Sequence, residues 1–160
     1  MNEEPQVLYC DAWLMAIDKP AGMIVHGDGT GERTLTDYAS DLLLAMGDGF
    51  AATDMQPLNR LDRDTTGLLL FTTDGDLSQD LLHPSKHVYK TYQALVDGHL
   101  TDRDLEPLRR GIELNDGLCQ PAICRVISAR EAEAVAPQGV KPGTTAVEVI
   151  IREGRKNQVK

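Results

Sequence analysis

The chain has 160 residues, 41% hydrophobic and 26% charged, a composition typical of a soluble globular protein that can bury one sizeable core. Its net charge of −9 argues against a protein that coats nucleic acid. Residues 1–59 hold ten acidic and two basic side chains, whereas residues 60–160 hold fifteen and fourteen. Phosphate binding depends on a local basic surface rather than on the net charge, so the acidity argues against nucleic-acid binding without excluding it.

No segment of the sequence predicts secretion or membrane insertion. The start, Met-Asn-Glu-Glu-Pro, is neither basic nor apolar, and no apolar run approaches the length of a membrane span. Cys10, Cys119 and Cys124 are an odd number of cysteines without CxxC spacing, so we expect free, mostly buried thiols and no metal site. These features predict a cytoplasmic protein that does not contact a membrane.

The N-terminal part of the chain predicts short strands separated by turns. Three strands are predicted over residues 7–9, 13–17 and 23–25. Lys19-Pro-Ala-Gly22 predicts a turn, because proline and glycine interrupt regular structure. The glycine-rich residues 26–31 are not followed by the lysine of a P-loop, so a mobile connecting loop is the better interpretation.

One helix is predicted over residues 34–46, with Thr34 as its N-cap and Gly47 at its end. Five residues at helical spacing form its predicted apolar face: Leu35, Tyr38, Ala39, Leu42 and Met46. Residues 49–56 then predict a loop.

Charged residues run directly into an apolar block at the centre of the chain. The charged residues are Arg60, Asp62, Arg63 and Asp64. The block, residues 68–71, is too short for a helical core segment and predicts a buried strand. Ionised groups beside a buried strand are costly to desolvate unless they are paired. Either a carboxylate and a guanidinium at the edge of a pocket or a plain polar turn fits this pattern.

The remaining chain predicts two helices, over residues 76–82 and 101–110, and three strands, over residues 88–96, 122–129 and 145–152. Lys90 and Tyr92 share one face of the first of these strands, because side chains alternate along a strand. The sequence predicts an α+β fold with a mixed or mainly antiparallel sheet and a few flanking helices, in a single domain over residues 1–160.

Four motifs follow one another along the chain: Asp18-Lys-Pro-Ala-Gly22; RLDRDTTGLLLFTTDGDL from Arg60; Lys90-Thr-Tyr92 with Val96-Asp-Gly98; and Glu153-Gly-Arg-Lys-Asn-Gln-Val-Lys160. In content and order they resemble RNA pseudouridine synthases of the RsuA-like branch, although residues 7–27 look more like the RluA-like branch. The resemblance implies the catalytic-domain fold of these enzymes. Many RsuA-like enzymes begin with an S4-type domain and continue past the position of Lys160, so we expect a catalytic domain without its C-terminal portion.

Pseudouridine formation breaks the N1–C1′ bond of a uridine, turns the base over and rejoins it through C5. No atom is gained or lost, so no cofactor is expected. The resemblance makes Asp62 the catalytic aspartate, attacking either C6 of the base or C1′ of the sugar. Arg155 is its expected counter-ion, since a guanidinium pairs with a carboxylate through two hydrogen bonds; an exposed basic residue is the alternative. Tyr92 matches the tyrosine that packs on the uracil and is implicated in removing its C5 proton, with a core position as the alternative.

Three residues are expected to bind the substrate. Arg60 would contact a phosphate or occupy the gap left by a flipped base, with an ion pair to Asp64 as the alternative. Lys90 would line the site, and Ile151 would form an apolar wall or simply belong to the core. The other basic residues near these motifs are His83, Lys86, His87, Arg152, Lys156 and Lys160.

The sequence thus predicts a monomeric RNA uridine isomerase that acts on ribosomal RNA rather than on transfer RNA. Two other functions fit the same residues. One is a non-catalytic RNA-binding relative of these enzymes. The other is a nucleotide-sugar transferase in which Asp62 and Asp64 hold a divalent cation.

Overall fold

The structure is a computed structural model that describes residues 4–86, 88–155 and 158–159. The chain divides into two compact units, Met1–Lys86 and His87–Lys160. In both units antiparallel strands pack with short helices, which confirms the predicted α+β class. That residues 1–160 form a single domain stays a prediction. None of the helices described has the length and apolar composition needed to cross a bilayer.

The first unit is built on a four-stranded antiparallel sheet in the order β1-β2-β4-β3. Its strands are β1 (Gln6–Cys10), β2 (Leu14–Lys19), β3 (Gln56–Pro57) and β4 (Gly67–Thr72). Its helices are α1 (Leu35–Ala45), α2 (Gly49–Asp54) and α3 (Gly75–Leu82), followed by a 3-10 turn over Pro84–Lys86.

The core of the first unit lies between the sheet and α1. Met15, Ile17, Leu69 and Phe71 have no exposed surface. They occupy every second position of β2 and β4, because alternate residues of a strand point to the same face. The predicted strand directly after the charged stretch is confirmed, but it is buried on one face only, because Leu68 is 56% exposed.

Helix α1 begins where the sequence predicts. Thr34 and Asp37 form a reciprocal capping box, in which the side chain of each accepts a hydrogen bond from the amide of the other. The predicted apolar face is wrong at its last position, because Met46 is the C-cap and is 62% exposed. Leu43 is buried in its place.

Two predictions for the first unit are wrong. Residues 23–25 are not a strand, because the carbonyls of Ile24 and Val25 accept hydrogen bonds of 2.9 and 3.2 Å from the first amides of α1. Residues 49–56 are not a loop. Asp48 caps the amide of Ala51 at 2.9 Å, and burial of the Ala51 side chain stabilises the short helix α2.

The second unit contains a three-stranded antiparallel sheet in the order β5-β9-β8 and a separate two-stranded hairpin. The strands are β5 (Lys90–Asp97), β8 (Ile123–Val126) and β9 (Thr144–Ile151), with β6 (Glu113–Leu114) and β7 (Gly117–Leu118) in the hairpin. One helix, α4 (Glu106–Arg110), packs on the sheet through Leu105 and Leu108.

Helix α4 is shorter than the predicted helix over residues 101–110. The Asp104 carboxylate accepts hydrogen bonds from the amide and hydroxyl of Thr101, at 2.8 and 2.7 Å. Such local side-chain bonds compete with helical geometry, so the segment begins with turns. As predicted, the cysteines are free thiols; Cys119 and Cys124 are buried and Cys10 is half-buried.

Candidate active site

The segment that carries the predicted catalytic aspartate lies between β3 and β4 of the first unit. The amide of Thr65 donates to the carbonyl of Asp62 at 3.1 Å, so residues 62–65 form a tight turn. Arg63 and Asp64 occupy its central positions, and Gly67 opens β4 with a φ of 123°. Asp62 is half-buried.

The turn is held by a buried lysine that the sequence analysis had placed in a simple Lys-Pro turn. Lys19 has no exposed surface. Its ammonium donates to the carbonyls of Pro20, Arg63 and Thr65 at 2.8, 3.0 and 2.8 Å. Because an ammonium has three N–H donors, all of them are satisfied.

The alternation of side chains along β2 could have predicted that Lys19 is buried. Met15 and Ile17 are the inward positions of the strand, and Lys19 follows at the same two-residue spacing. Burial lowers the pKa of Lys19, and the carboxylates of Asp64 and Asp62 oppose that shift. The positive charge therefore lies beside the turn that carries the candidate nucleophile.

Arg63 binds the same turn to residues on both sides of the glycine-rich loop and within it. Its carbonyl accepts a 2.8 Å hydrogen bond from the amide of Gly22, and its guanidinium pairs with Glu32 at 2.6 Å and with Asp28 at 3.7 Å. The loop has no regular structure, in agreement with the prediction. The turn is consequently held both by the buried ammonium and by contacts at the surface.

Three of the predicted site residues lie in the second unit at one end of the β5–β9 pair. Lys90 pairs with Ile151, and Tyr92 pairs with Val149. Ile151 is 6% exposed, and this burial is compatible with both a pocket wall and a core position. Lys90 and Tyr92 are half-buried. The structure confirms that Lys90 and Tyr92 share one face of β5.

Arg155 is bound within the second unit, to the β6–β7 hairpin. Its guanidinium donates to the Asp116 carboxylate and the Gly117 carbonyl through Nη1, at 3.1 and 3.0 Å, and to the Leu118 carbonyl through Nη2, at 2.7 Å. Its Nε donates to Glu153 at 3.2 Å. Four of the five N–H donors of a guanidinium are thus used. Pairing of Arg155 with Asp62, a residue of the first unit, stays a prediction.

Arg60 and Lys90, two basic residues of the predicted site, differ from Arg155 in their partners. Carboxylates pair with seven of the described lysines and arginines: Arg33, Arg63, Lys86, Arg109, Arg110, Arg125 and Arg155. Arg60 and Lys90 make no ion pair or hydrogen bond with any residue that the structure describes, so the alternative pairing of Arg60 with Asp64 is not present. Their charges are available to a ligand.

Other predicted features contribute less. His83 is exposed and bonded to the Ser85 hydroxyl at 2.7 Å, whereas His87, Lys156 and Lys160 lie outside the described residues. In residues 4–86, 88–155 and 158–159, no three His, Cys, Asp or Glu side chains meet as a metal site requires. A cavity of about 170 Å³ beside Asp74 in the first unit is lined by none of the predicted site residues.

Comparison with known proteins identifies the family. The profile of the family described as RNA pseudouridylate synthase matches residues 14–160. The chain therefore belongs to the RNA pseudouridylate synthase family, which agrees with the resemblance found in its motifs.

Two similar proteins are named as pseudouridine synthases of the large ribosomal subunit. The chain is 40% identical over 136 residues to ribosomal large subunit pseudouridine synthase E of Vibrio parahaemolyticus, a match that covers 83% of the chain and 52% of that protein. It is 34% identical over 143 residues to ribosomal large subunit pseudouridine synthase B of Bacillus subtilis, covering 89% and 51%. The chain spans about half the length of these relatives.

A solved structure shares the fold. The crystal structure of a pseudouridylate synthase superposes with a TM-score of 0.66 at 26% identity, over 92% of this chain and 54% of that one. The predicted catalytic-domain fold is thus confirmed.

Proposed function

We propose that the chain isomerises specific uridines of ribosomal RNA to pseudouridine. The observation that carries this proposal is the turn of residues 62–65, which the buried Lys19 ammonium holds through the carbonyls of Arg63 and Thr65. A catalytic side chain has to be placed within a few tenths of an ångström of its target, and a turn held by buried bonds meets that requirement. The family and the names of the relatives support the reaction and the RNA class.

Asp62 acts as the nucleophile on a flipped-out uridine. Attack at C6 of the base or at C1′ of the sugar gives a covalent intermediate while the N1–C1′ bond breaks. The base turns, C5 bonds to C1′, the bond between Asp62 and the substrate breaks and returns the carboxylate, the C5 proton leaves and N1 gains a proton. The atoms balance without a cofactor.

The remaining site residues bind and orient the uridine. Tyr92 stacks on the uracil and takes part in removing the C5 proton, and Ile151 forms the apolar wall beside it. Arg60 and Lys90 contact RNA phosphates. Neither pairs with a carboxylate among the described residues, so their charges are available for this contact. We also propose that Arg155 is the counter-ion of Asp62. In that role its guanidinium either keeps its four hydrogen bonds within the second unit or exchanges some of them for the Asp62 carboxylate.

The test compares Asp62→Asn with Asp64→Asn, its neighbour in the same turn. Release of tritium from ribosomal RNA labelled at uridine C5 measures turnover, and filter retention measures RNA binding. We expect Asp62→Asn to abolish turnover and keep binding, whereas Asp64→Asn keeps both. Turnover by Asp62→Asn would contradict the assignment of the nucleophile.

The same assay separates the alternatives. A wild-type chain that binds RNA without any turnover would contradict the isomerase and favour a non-catalytic relative. Loss of turnover on addition of EDTA would favour a metal bound by Asp62 and Asp64.

A further inference from the structure

An exposed tyrosine and an arginine stack on each other at the end of the β5–β9 pair. The Arg152 guanidinium carbon lies 5.6 Å from the ring centroid of Tyr89, within the range of a cation–π contact. The two residues directly flank Lys90 and Ile151, the last paired residues of these strands. Tyr89 is 55% exposed, so a large part of the phenol ring remains accessible to a ligand.

Arg152 has no carboxylate partner in the part of the chain that the structure describes. It makes no ion pair with any described residue, although the protein has 25 acidic and 16 basic side chains. The neighbouring Glu153 is already bonded to the amide of Gln120 at 2.8 Å, to the Gln158 side chain at 2.6 Å and to Arg155. Among the described residues, the Arg152 guanidinium therefore contacts the Tyr89 ring and no carboxylate.

The other cation–π pair of the described residues shows the contrast. Arg33 lies 5.7 Å from the ring centroid of Tyr38, but its guanidinium is bonded to Asp41 at 2.7 Å. The Tyr38 hydroxyl donates to the carbonyl of Pro5 at 3.2 Å. That pair is complete within the protein, whereas the Tyr89–Arg152 pair presents an aromatic surface and an uncompensated charge.

Lys90 adds a second available cation to this end of the sheet. A Cβ atom placed on Gly154 would lie 3.3 Å from the Lys90 ammonium, so the lysine head reaches the segment that follows β9. The ligand that matches an exposed ring beside two free cations is an unpaired nucleobase with its phosphates. Bases of any identity stack on aromatic side chains and on guanidinium planes, while the cations contact the phosphates.

We propose that Tyr89 and Arg152 form a stacking platform for an unpaired RNA base that neighbours the target uridine. The proposal rests on the proposed function, because it assumes that the ligand of this surface is RNA. It adds a binding site for a second nucleotide, separate from the uracil-binding residues Tyr92 and Ile151. Arg152 orients the Tyr89 ring and contacts the phosphate of the stacked nucleotide.

The first experiment measures binding of a fluorescently labelled single-stranded oligouridylate by anisotropy. Loss of one base–aromatic stack weakens binding about five- to hundredfold. We expect that loss for Tyr89→Ala and for Tyr89→Leu, which keeps apolar surface without a planar ring, and little change for Tyr89→Phe. Tyr9→Ala is the matched control, because Tyr9 is 51% exposed and bonded to Asp11 at 2.7 Å.

The second experiment asks whether Tyr89 acts through a base. An abasic nucleotide is moved along the oligouridylate one position at a time. At the position that stacks on Tyr89, the abasic RNA binds wild-type and Tyr89→Ala chains equally, whereas elsewhere the variant stays weaker. A constant difference between the two chains at every position would overturn the stacking assignment, as would unchanged binding of the all-base RNA by Tyr89→Ala.

The third experiment tests the charge of Arg152. Arg152→Ala is expected to lower the slope of log affinity against log salt by about 0.7, the value for one single-strand phosphate contact. Arg103→Ala is the matched control, since Arg103 is exposed and also makes no ion pair with the described residues. Equal slopes for the two variants would contradict a phosphate contact.

These measurements read binding and not turnover. A wild-type chain that binds the oligouridylate through Tyr89 but isomerises no uridine would refute the proposed function and leave the platform intact. A chain that isomerises uridine and binds RNA equally well with Tyr89→Ala would refute the platform alone. Circular dichroism and thermal melting of each variant identify a loss that comes from misfolding.

Discussion

The buried ammonium of Lys19 donates a 2.8 Å hydrogen bond to the carbonyl of Thr65, 46 positions further along the chain. This bond joins the end of β2 to the turn that carries Asp62. Because Lys19 has no exposed surface, water cannot take the place of the ammonium without opening the core. The position of the candidate nucleophile therefore depends on a residue of a different motif.

Replacing Lys19 by methionine tests that dependence. The variant keeps an unbranched side chain one atom shorter, but it leaves the carbonyls of Pro20, Arg63 and Thr65 without their donor. We expect the free energy of unfolding to fall by about 2–4 kcal/mol. Urea denaturation measures the change. Lys86→Met is the control: Lys86 is half-exposed and paired with Asp80, so its loss is expected to cost at most about 1 kcal/mol. Equal losses in the two variants would contradict a structural role for the buried ammonium.

Two glycines with nearly equal positive φ values separate a steric clash from the strain of positive φ. Gly111 and Gly139 have φ values of 89° and 90°. A Cβ atom on Gly111 would clash with the backbone carbonyl of Cys119, whereas one on Gly139 would meet nothing within 4 Å. We expect Gly139→Ala to cost about 1 kcal/mol of strain and Gly111→Ala to cost clearly more, in thermal or urea unfolding. A similar cost at both positions would show that the approach of Cys119 to Gly111 is unimportant.

A double-mutant cycle tests the attachment of Arg155 to the β6–β7 hairpin. Arg155 and Asp116 are joined by a 3.1 Å ion pair that is partly exposed to solvent. We expect Arg155→Lys and Asp116→Asn to be coupled by about 0.5–1 kcal/mol in unfolding free energy. A second cycle in unfolding free energy, between Arg155→Lys and Asp62→Asn, tests the predicted pairing with the nucleophile. Strictly additive unfolding energies in the first cycle would contradict the hairpin attachment.

The carboxyl group of Glu131 makes the stability of the second unit depend on pH in the acidic range. Hydrogen bonds from the Ser128 amide, Arg125 and the Ser128 hydroxyl lower the pKa of this carboxyl from 4.5 to about 2. Because the folded pKa lies below the unfolded one, the contribution to stability is complete above pH 4.5 and is lost as pH falls towards 2. We expect Glu131→Gln to flatten the pH dependence of unfolding over that interval.

The control for this measurement is Glu133→Gln, in the same turn. Glu133 is exposed and makes no hydrogen bond or ion pair with the part of the chain that the structure describes. Its replacement should leave the acid dependence in place. If both variants show the wild-type profile between pH 4.5 and 2, the bonds of Glu131 do not stabilise the fold.

The elements that sequence patterns predicted well are those whose burial follows a local period. The fully buried residues of β2 and β4 fall at alternate positions, β5 keeps Lys90 and Tyr92 on one face, and α1 begins at its capping box. Such elements bury one apolar face against a neighbouring surface. The spacing of the apolar residues can therefore be recognised within a short stretch of sequence.

The elements that the sequence analysis missed depend on distant partners. Helix α2 has six residues and the strands of the β6–β7 hairpin have two each, too few to show a period. The hairpin carbonyls of Gly117 and Leu118 are bonded to Arg155, 38 and 37 positions away. No local pattern encodes such contacts.

By itself, the sequence determined the order of the four motifs, the family they indicate, the α+β class and the choice of Asp62 as the candidate nucleophile. Only the tertiary structure decided that Lys19 points inward to hold the Asp62 turn, that Arg155 binds the hairpin, and that Tyr89 and Arg152 meet at the edge of the sheet. The physical reason is that a hydrogen bond or ring contact depends on the three-dimensional position of both partners. For residues far apart in the chain, that position is set by packing and not by the local sequence.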